Sequence, residues 1–187
     1  MDETNKHIPE IHEIDNIEKK ISNFLPYYER GFHKVYSVEF SKDNFYLDTC
    51  ISMYSNKICL LFLADGHSII KENKTIKSLD FKVGKEDRLA NSVGGKCKRS
   101  AQSLHKNSVI CFIETTDGMK YPFCAGIKGK LLDLNPVVLE DYSKMVTFRN
   151  TKGYVAMVQP IFQNKREIIL KGLLNRQDYE NVLSSRK

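Results

Sequence analysis

The chain has 187 residues, 41% hydrophobic and 28% charged, which is typical of one globular domain with a well-filled core. No apolar run approaches the roughly 18 residues that a membrane span needs, and the acidic start resembles neither a secretory signal nor a transit peptide, so an intracellular location is expected. Residues 1–20 hold six acidic and three basic side chains, yet the whole chain carries +6. The basic remainder suits a polyanionic partner, such as nucleic acid, an acidic protein surface or anionic lipid.

The first predicted element is a short amphipathic helix over residues 14–25, where apolar side chains recur at helical spacing until Pro26. It belongs to a predicted acidic, partly disordered arm of residues 1–26. From about Val35 to Ile113 the pattern changes to short β-rich runs. They are separated by SKDN, SNK and DGH, whose turn chemistry is typical of antiparallel hairpins. These runs are VYSVEF, FYLDTCISMY, KICLLFLA, TIKSLDFKV and SVICFIE. They predict a mostly β sandwich or barrel for residues 27–187.

The C-terminal third predicts two further strands and a closing helix. IKGKLLDLNPVVLEDYSK gives a strand, a turn at Asn135-Pro136 and one short helix, and KGYVAMVQP gives a strand that Pro160 stops. Asn175 is a candidate N-cap for the closing helix. The apolar side chains at helical positions there are Leu173, Leu174, Tyr179, Val182 and Leu183.

The cysteines and histidines give no sign of a metal or redox site. The five cysteines are odd in number, form no Cys-x-x-Cys pair and mostly lie in apolar runs, so they are predicted to be reduced core residues. The five histidines are scattered and show no zinc-ligand spacing. No metal site is therefore predicted. Because the sequence also has no nucleotide-binding glycine motif and no Gly-x-Ser-x-Gly nucleophile context, no cofactor and no enzymatic activity are predicted.

The segment ETTDGMKYPF, residues 114–123, predicts a β-hairpin with a type I′ turn at Asp117-Gly118 and with Lys120 just beyond it. Proteins that carry a swinging prosthetic group attach it covalently to a lysine in such a hairpin. Lys120 is thus either an acyl-carrying residue or a solvated strand residue.

The strongest basic cluster is GGKCKRSAQSLHK, and its candidate partner-binding residues are Lys96, Lys98, Arg99 and Lys106. If this segment is a strand, Lys96 and Lys98 share one face and form a positive stripe while Cys97 points inward. The stripe could bind acidic side chains or phosphates. The alternative is a charged sheet edge that discourages aggregation.

The order of parts in the C-terminal half resembles the glycine cleavage system H-protein. The matching positions are Gly129, Leu131, Leu134, Asn135, Gly153, Tyr154, Leu173, Leu174 and Tyr179. Upstream, NKICLLFLADGHSII, NKTIKSLDFKV and NSVGGKCKRSAQSL stand in the order and spacing of the Abitram (Simiate) family, non-lipoylated relatives of the H-protein. The resemblance covers roughly Pro26 to Leu183.

The resemblance to the Abitram family implies a mostly β, lipoyl-like barrel-sandwich hybrid with short N- and C-terminal helices. It also implies a non-enzymatic, actin-binding and transcription-linked regulator in the nucleus, including nuclear speckles, and in the cytoplasm. Such a regulator affects actin filament assembly and cell projections. The family supplies no residue-level site, so the assignment of the basic cluster to an acidic partner rests on the residues themselves.

Two alternatives remain open from the sequence. The first is a lipoyl or biotin carrier that uses Lys120, although in H-protein-like carriers the modified lysine lies about eleven residues before the next strand's glycine, here Gly129, which points to Gly118. The second is an adaptor that binds nuclear RNA or the transcription machinery. Its aromatic side chains Tyr27, Tyr28, Phe32 and Tyr36 would stack on bases, or else belong to an entry strand that covers one end of the barrel.

Overall fold

The computed structural model describes residues 32–40, 45–95, 98–161 and 172–186. The predicted N-terminal arm, its helix and the 26/27 domain boundary lie outside these residues, as do Lys96 and Cys97. Within the described ranges, no helix has the length and apolar character needed to cross a membrane.

The described residues form eleven strands and four helices. The strands, in chain order, are β1 (Phe32–Ser37), β2 (Thr49–Tyr54), β3 (Cys59–Leu63), β4 (Ile76–Asp80), β5 (Lys82–Val83), β6 (Glu86–Asp87), β7 (Ser103–Leu104), β8 (Val109–Thr115), β9 (Lys120–Cys124), β10 (Gly129–Leu134) and β11 (Ala156–Pro160). The helices are α1 (Ser68–Lys71), α2 (Pro136–Glu140), α3 (Lys144–Thr147) and α4 (Arg176–Ser185). The predicted mostly β fold with a C-terminal helix is confirmed.

Two sheets carry the fold. The larger one is antiparallel and has the strand order β1-β2-β3-β11-β10-β7, and the smaller one has the order β4-β8-β9. Strands β5 and β6 form a separate ribbon. In the part of the chain that the structure describes, the sheets stay open at their edges and do not close into a barrel.

The main core combines side chains from both sheets. Ile51, Leu61 and Val158 of the large sheet belong to the same buried cluster as Ile113 and Phe123 of the small sheet. Because successive side chains of a strand point to opposite faces, the alternate residues of β2 and β3 face the other way. They are buried as well, since a second cluster forms on that outer face. Burial on both faces explains the continuous apolar run of β3.

Helix α4 covers part of the outer face. Tyr179 of this helix stacks on Tyr36 of β1 with a distance of 4.2 Å between ring centroids, and both rings are buried. Asn175 caps the helix as predicted, because its side-chain oxygen accepts a hydrogen bond from the Asp178 N–H at 2.9 Å.

Two local predictions are wrong. Leu173 and Leu174 precede α4 rather than belonging to it, because the Asn175 cap starts the helix after them; Leu174 instead exchanges two backbone hydrogen bonds of 2.8 Å with Tyr36. Asp65-Gly66-His67 is not a hairpin turn. It leads into α1, whose first turn His67 caps, and α1 takes the chain from the large sheet to the small one.

Candidate partner-binding surface

The residues around Lys98 and Arg99 form a turn, which corrects the predicted strand and its alternating stripe. The Lys98 N–H donates to the Gly95 carbonyl at 3.2 Å, and the Ala101 N–H donates to the Lys98 carbonyl at 3.2 Å. Lys98 has φ +50°, in the left-handed region that strands do not use. Arg99 is exposed and Lys98 is half-buried, so this basic turn presents two cations from a bend.

A lysine that was not among the predicted site residues supports the basic turn. The Lys130 ammonium donates a hydrogen bond of 2.9 Å to the Lys98 carbonyl. Lys130 lies on β10, opposite Ser103 of β7 on one side and Gln159 of β11 on the other. The turn is therefore tied to the edge of the large sheet, and a third cation joins Lys98 and Arg99.

Lys106 lies in a different loop, between β7 and β8. Its carbonyl accepts a hydrogen bond of 2.8 Å from the Gly126 N–H, and its ammonium lies 3.5 Å from the Gly172 carbonyl. The side chain is exposed. The structure thus unites two of the four predicted basic residues in one turn, places Lys106 apart from them, and does not describe Lys96.

The hairpin between β8 and β9 has its tip at Thr116, Asp117 and Gly118. Gly118 alone of these has positive φ, at +83°, whereas a type I′ turn needs two such residues. The Gly118 N–H donates to the Thr115 carbonyl at 2.9 Å, and the Thr115 N–H donates to the Met119 carbonyl at 3.0 Å. This is a three-residue loop with a glycine bulge, so the predicted turn type is wrong although the turn is at the predicted place.

Lys120 lies on β9, below the hairpin tip. It is exposed and stands opposite Glu114 on β8. Glu114 also accepts from the Lys77 ammonium at 2.7 Å, and this hydrogen bond is the main reason that the pKa of Glu114 is lowered, with the charge of Lys120 contributing. Lys120 is thus a cross-strand neighbour of a carboxylate.

The tip itself carries an ion pair. The Lys74 ammonium lies 2.6 Å from Asp117 and 3.1 Å from Glu72. The hydrogen bond from Lys74 lowers the pKa of Asp117 to about 2. Lys74, which precedes β4 and lies beside the tip, is therefore already paired with acidic groups of this chain. This leaves the basic turn as the better candidate for an acidic partner.

The cysteines that the structure describes are buried, unreactive thiols. Cys50, Cys59, Cys111 and Cys124 are free and buried, and burial raises the pKa of Cys50 to about 11 and that of Cys59 and Cys124 to about 12. Such thiols are poor nucleophiles at neutral pH. Among the described residues, no group of three or more His, Cys, Asp and Glu side chains could hold a metal ion.

An apolar depression lies on the outer face of the large sheet, and no predicted site residue points to it. It has a volume of about 200 Å³. Its lining, here called the outer groove, consists of Tyr54, Asn56, Ile58, Leu60, Tyr154 and Met157. Met157 of β11 stands opposite Leu60 of β3, so residues almost a hundred positions apart contribute to this lining.

One of the aromatic residues considered for base stacking, Tyr36, already stacks on another ring of this chain. Tyr36 is 2% exposed and is stacked on Tyr179, so its ring has no free face for a nucleotide. Phe32 and Tyr36 belong to β1, so this part of the stretch is a strand, as the entry-strand alternative predicted. Tyr27 and Tyr28 lie outside the described residues.

Comparison with known proteins found close relatives of one family. No protein-family model matches the chain. It is 38% identical over 140 residues to Protein Abitram of Xenopus tropicalis, covering 74% of this chain and 76% of the relative. It is 36% identical over 146 residues to Protein Abitram of Homo sapiens, covering 78% and 80%.

A solved glycine cleavage system H protein from Mycobacterium marinum is similar at 12% identity and a TM-score of 0.49, covering 79% of this chain and 97% of that one. The assignment to a family rests on the sequence relatives. On their identity and coverage, this chain belongs to the Abitram family.

Proposed function

We propose that this protein is a non-enzymatic, actin-binding and transcription-linked regulator of the nucleus and cytoplasm, which acts on filament assembly and cell projections. Two things support the proposal: membership of the Abitram family, with the function that the resemblance implies, and a basic surface suited to an acidic partner. The observation that carries the surface is the turn at Lys98 and Arg99, which Lys130 joins to the edge of the large sheet.

The charges favour an acidic partner for this turn. Its cations come from a bend rather than from a strand, and Arg99 is exposed, so its guanidinium is accessible to a partner. An arginine also offers five N–H donors in a fixed fork that matches carboxylates bidentately. Lys74 beside the hairpin tip differs, because it is paired with Asp117 and Glu72.

Co-sedimentation with filamentous actin tests the proposal. The wild-type protein is expected to bind saturably at near-physiological salt, and the Lys98→Glu/Arg99→Glu variant is expected to lose that binding. A matched control is Lys82→Glu/Lys85→Glu, which changes the net charge equally at two exposed lysines of the β5–β6 ribbon. Circular dichroism checks that both variants stay folded.

The outcomes separate the candidate partners. Wild-type protein that stays in the supernatant would contradict actin binding. Equal weakening by both double variants would show that the interaction depends on net charge and not on the basic turn. Binding that weakens steeply as salt is added would indicate the same. Because actin and RNA are both polyanions, competition between filaments and RNA for the same protein distinguishes a regulator of filaments from an RNA adaptor.

A further inference from the structure

The strand register places charged residues on the same face as the outer groove. In a sheet, residues directly opposite each other share a face, and so do residues two apart along a strand. One row across the outer face therefore runs through Lys34, Ser52, Leu60, Met157 and Asp133. The next row contains Tyr54, Ile58, Gln159 and Lys130. The groove thus lies between Lys34 on β1 and Lys130 on β10.

The lining is suited to apolar side chains. Leu60 forms a buried floor, and Ile58 and Met157 are half-buried walls. Two tyrosines, Tyr54 and Tyr154, complete the lining with rings that each carry a hydroxyl group. Methionine is unbranched and adapts its shape to a partner, and tyrosine supplies a large rigid contact area, which are both features of protein-binding surfaces.

The charge around the groove is mostly positive. Lys34 stands on one side, and Lys130 with the basic turn of Lys98 and Arg99 stands on the other. The acidic residue in the two rows is Asp133. The pKa of Tyr154 is raised mainly by burial, and the negative charge of Asp133 raises it further. An apolar depression between cations is complementary to a segment that combines apolar and acidic side chains.

We propose that the outer groove binds an acidic amphipathic segment of a partner protein, with apolar side chains in the groove and carboxylates beside Lys34 and Lys130. This inference deepens the proposed function, since it names the apolar anchor that an acidic partner would use beside the basic turn. The apolar contacts supply affinity in the manner of helix-in-groove recognition, while the flanking charges steer and orient the segment.

Selection from a random-peptide phage library on the immobilised full-length protein tests this inference without actin. The expected result is enrichment of peptides in which apolar residues alternate with Asp and Glu at helical or strand spacing. A synthetic copy of the most enriched peptide is then titrated against the protein by fluorescence anisotropy. Ile58→Glu and Met157→Glu are each expected to weaken binding at least about tenfold, and Lys34→Glu to weaken it less.

The control variant is Leu89→Glu, which places the same charge on a side chain that is 58% exposed and outside the groove. It is expected to leave peptide binding unchanged. Two groove variants are used because Met157 is also packed against the outer cluster, whereas Ile58 is outside both core clusters. Circular dichroism and the unfolding midpoint identify a variant that has lost its fold.

Four outcomes would overturn the inference: no enriched peptides, enriched peptides without acidic residues, equal binding by the groove variants and wild type, or binding of an oligonucleotide or anionic vesicle at the groove instead. Self-association that the groove variants abolish would assign the groove to a second copy and also overturn it. If the protein selects such peptides but does not bind filaments, the groove inference stands and actin binding is contradicted. If it binds filaments but selects no such peptides, actin binding stands and the groove inference is contradicted.

Discussion

Asp48 and Arg186 form a buried ion pair that fixes the C-terminal helix to the large sheet. The side chain of Asp48 has no exposed area, that of Arg186 is 10% exposed, and an Arg186 Nη1 to Asp48 Oδ2 distance of 2.5 Å joins them. The Tyr179 hydroxyl donates to the same carboxylate at 2.9 Å and accepts from the Gly66 N–H at 2.8 Å. The Arg186 guanidinium also lies 4.1 Å from the centre of the Tyr46 ring.

Breaking this pair from one side is expected to be costly. Asp48→Asn keeps an acceptor for Tyr179 but leaves the Arg186 charge without its counter-charge, so the free energy of unfolding should fall by about 3 kcal/mol. Urea unfolding measures this loss. The double variant Asp48→Asn/Arg186→Met should lose less than the sum of the two single variants, since it removes both charges. A change below about 0.5 kcal/mol in Asp48→Asn would contradict the assigned role.

Acid sensitivity is expected from a buried histidine. His67 is fully buried, and its Nδ1 accepts from the Ile69 N–H at 3.2 Å. Among the residues that the structure describes, its Nε2 has no hydrogen-bond partner. Burial lowers the pKa of His67 from 6.5 to about 3. Between these values the unfolded chain binds the proton and the folded chain does not, so stability falls as pH drops below about 6.5 and this contribution is constant above it.

At pH 5 the loss from this group should be about 2 kcal/mol relative to neutral pH. His67→Asn can still cap α1 but does not titrate, so its stability should depend less on pH between 5 and 7. Urea unfolding at several pH values compares the two proteins. If the stability of wild type and variant changes with pH in parallel, His67 is not the source of the acid sensitivity.

A glycine before β11 is expected to tolerate no side chain. A Cβ at Gly153 would lie 2.1 Å from the Lys144 carbonyl oxygen and 2.9 Å from backbone atoms of Phe148. Because backbone must move to relieve this clash, Gly153→Ala should destabilise the protein by at least about 2 kcal/mol. Gly94→Ala is the control, since its Cβ would meet only the Ser100 hydroxyl at 3.4 Å. Similar thermal midpoints for the two variants would contradict the expected clash.

Attachment of a prosthetic group to Lys120 is not expected. A ligase that modifies a hairpin-tip lysine would meet Gly118 at the tip, and Lys120 lies along β9 beside Glu114. Intact-mass measurement on protein purified from its own cells should give the mass of the unmodified chain. A lipoyl or biotinyl adduct that disappears in Lys120→Arg would instead support a carrier.

The sequence predicts most of the strands because each is a local pattern. β2, β3 and β8 fall within apolar runs bounded by turn residues, and the Asn175 cap marks the start of α4. The errors have local causes too. The left-handed backbone of Lys98 is not encoded by its residue type, and a four-residue helix such as α1 is too short to show a period.

The candidate surface is harder to predict, since it depends on pairing between distant strands. Lys130 meets the basic turn only because β10 lies beside β7, and Met157 meets Leu60 only because β11 lies between β10 and β3. Neither contact leaves a pattern within one stretch of sequence. Composition indicates a basic protein, but only the register of the paired strands shows where its positive charges lie beside an apolar depression.

The long sequence separation of the contacts of α4 has a consequence for biosynthesis. Arg176 donates to the Tyr36 hydroxyl across 140 positions, and Tyr179 stacks on the same ring. While a ribosome is still translating the middle of the message, the apolar side chains that α4 will cover remain accessible. Nascent chains that stall before Asn175 should therefore display that surface to chaperones and quality-control proteases.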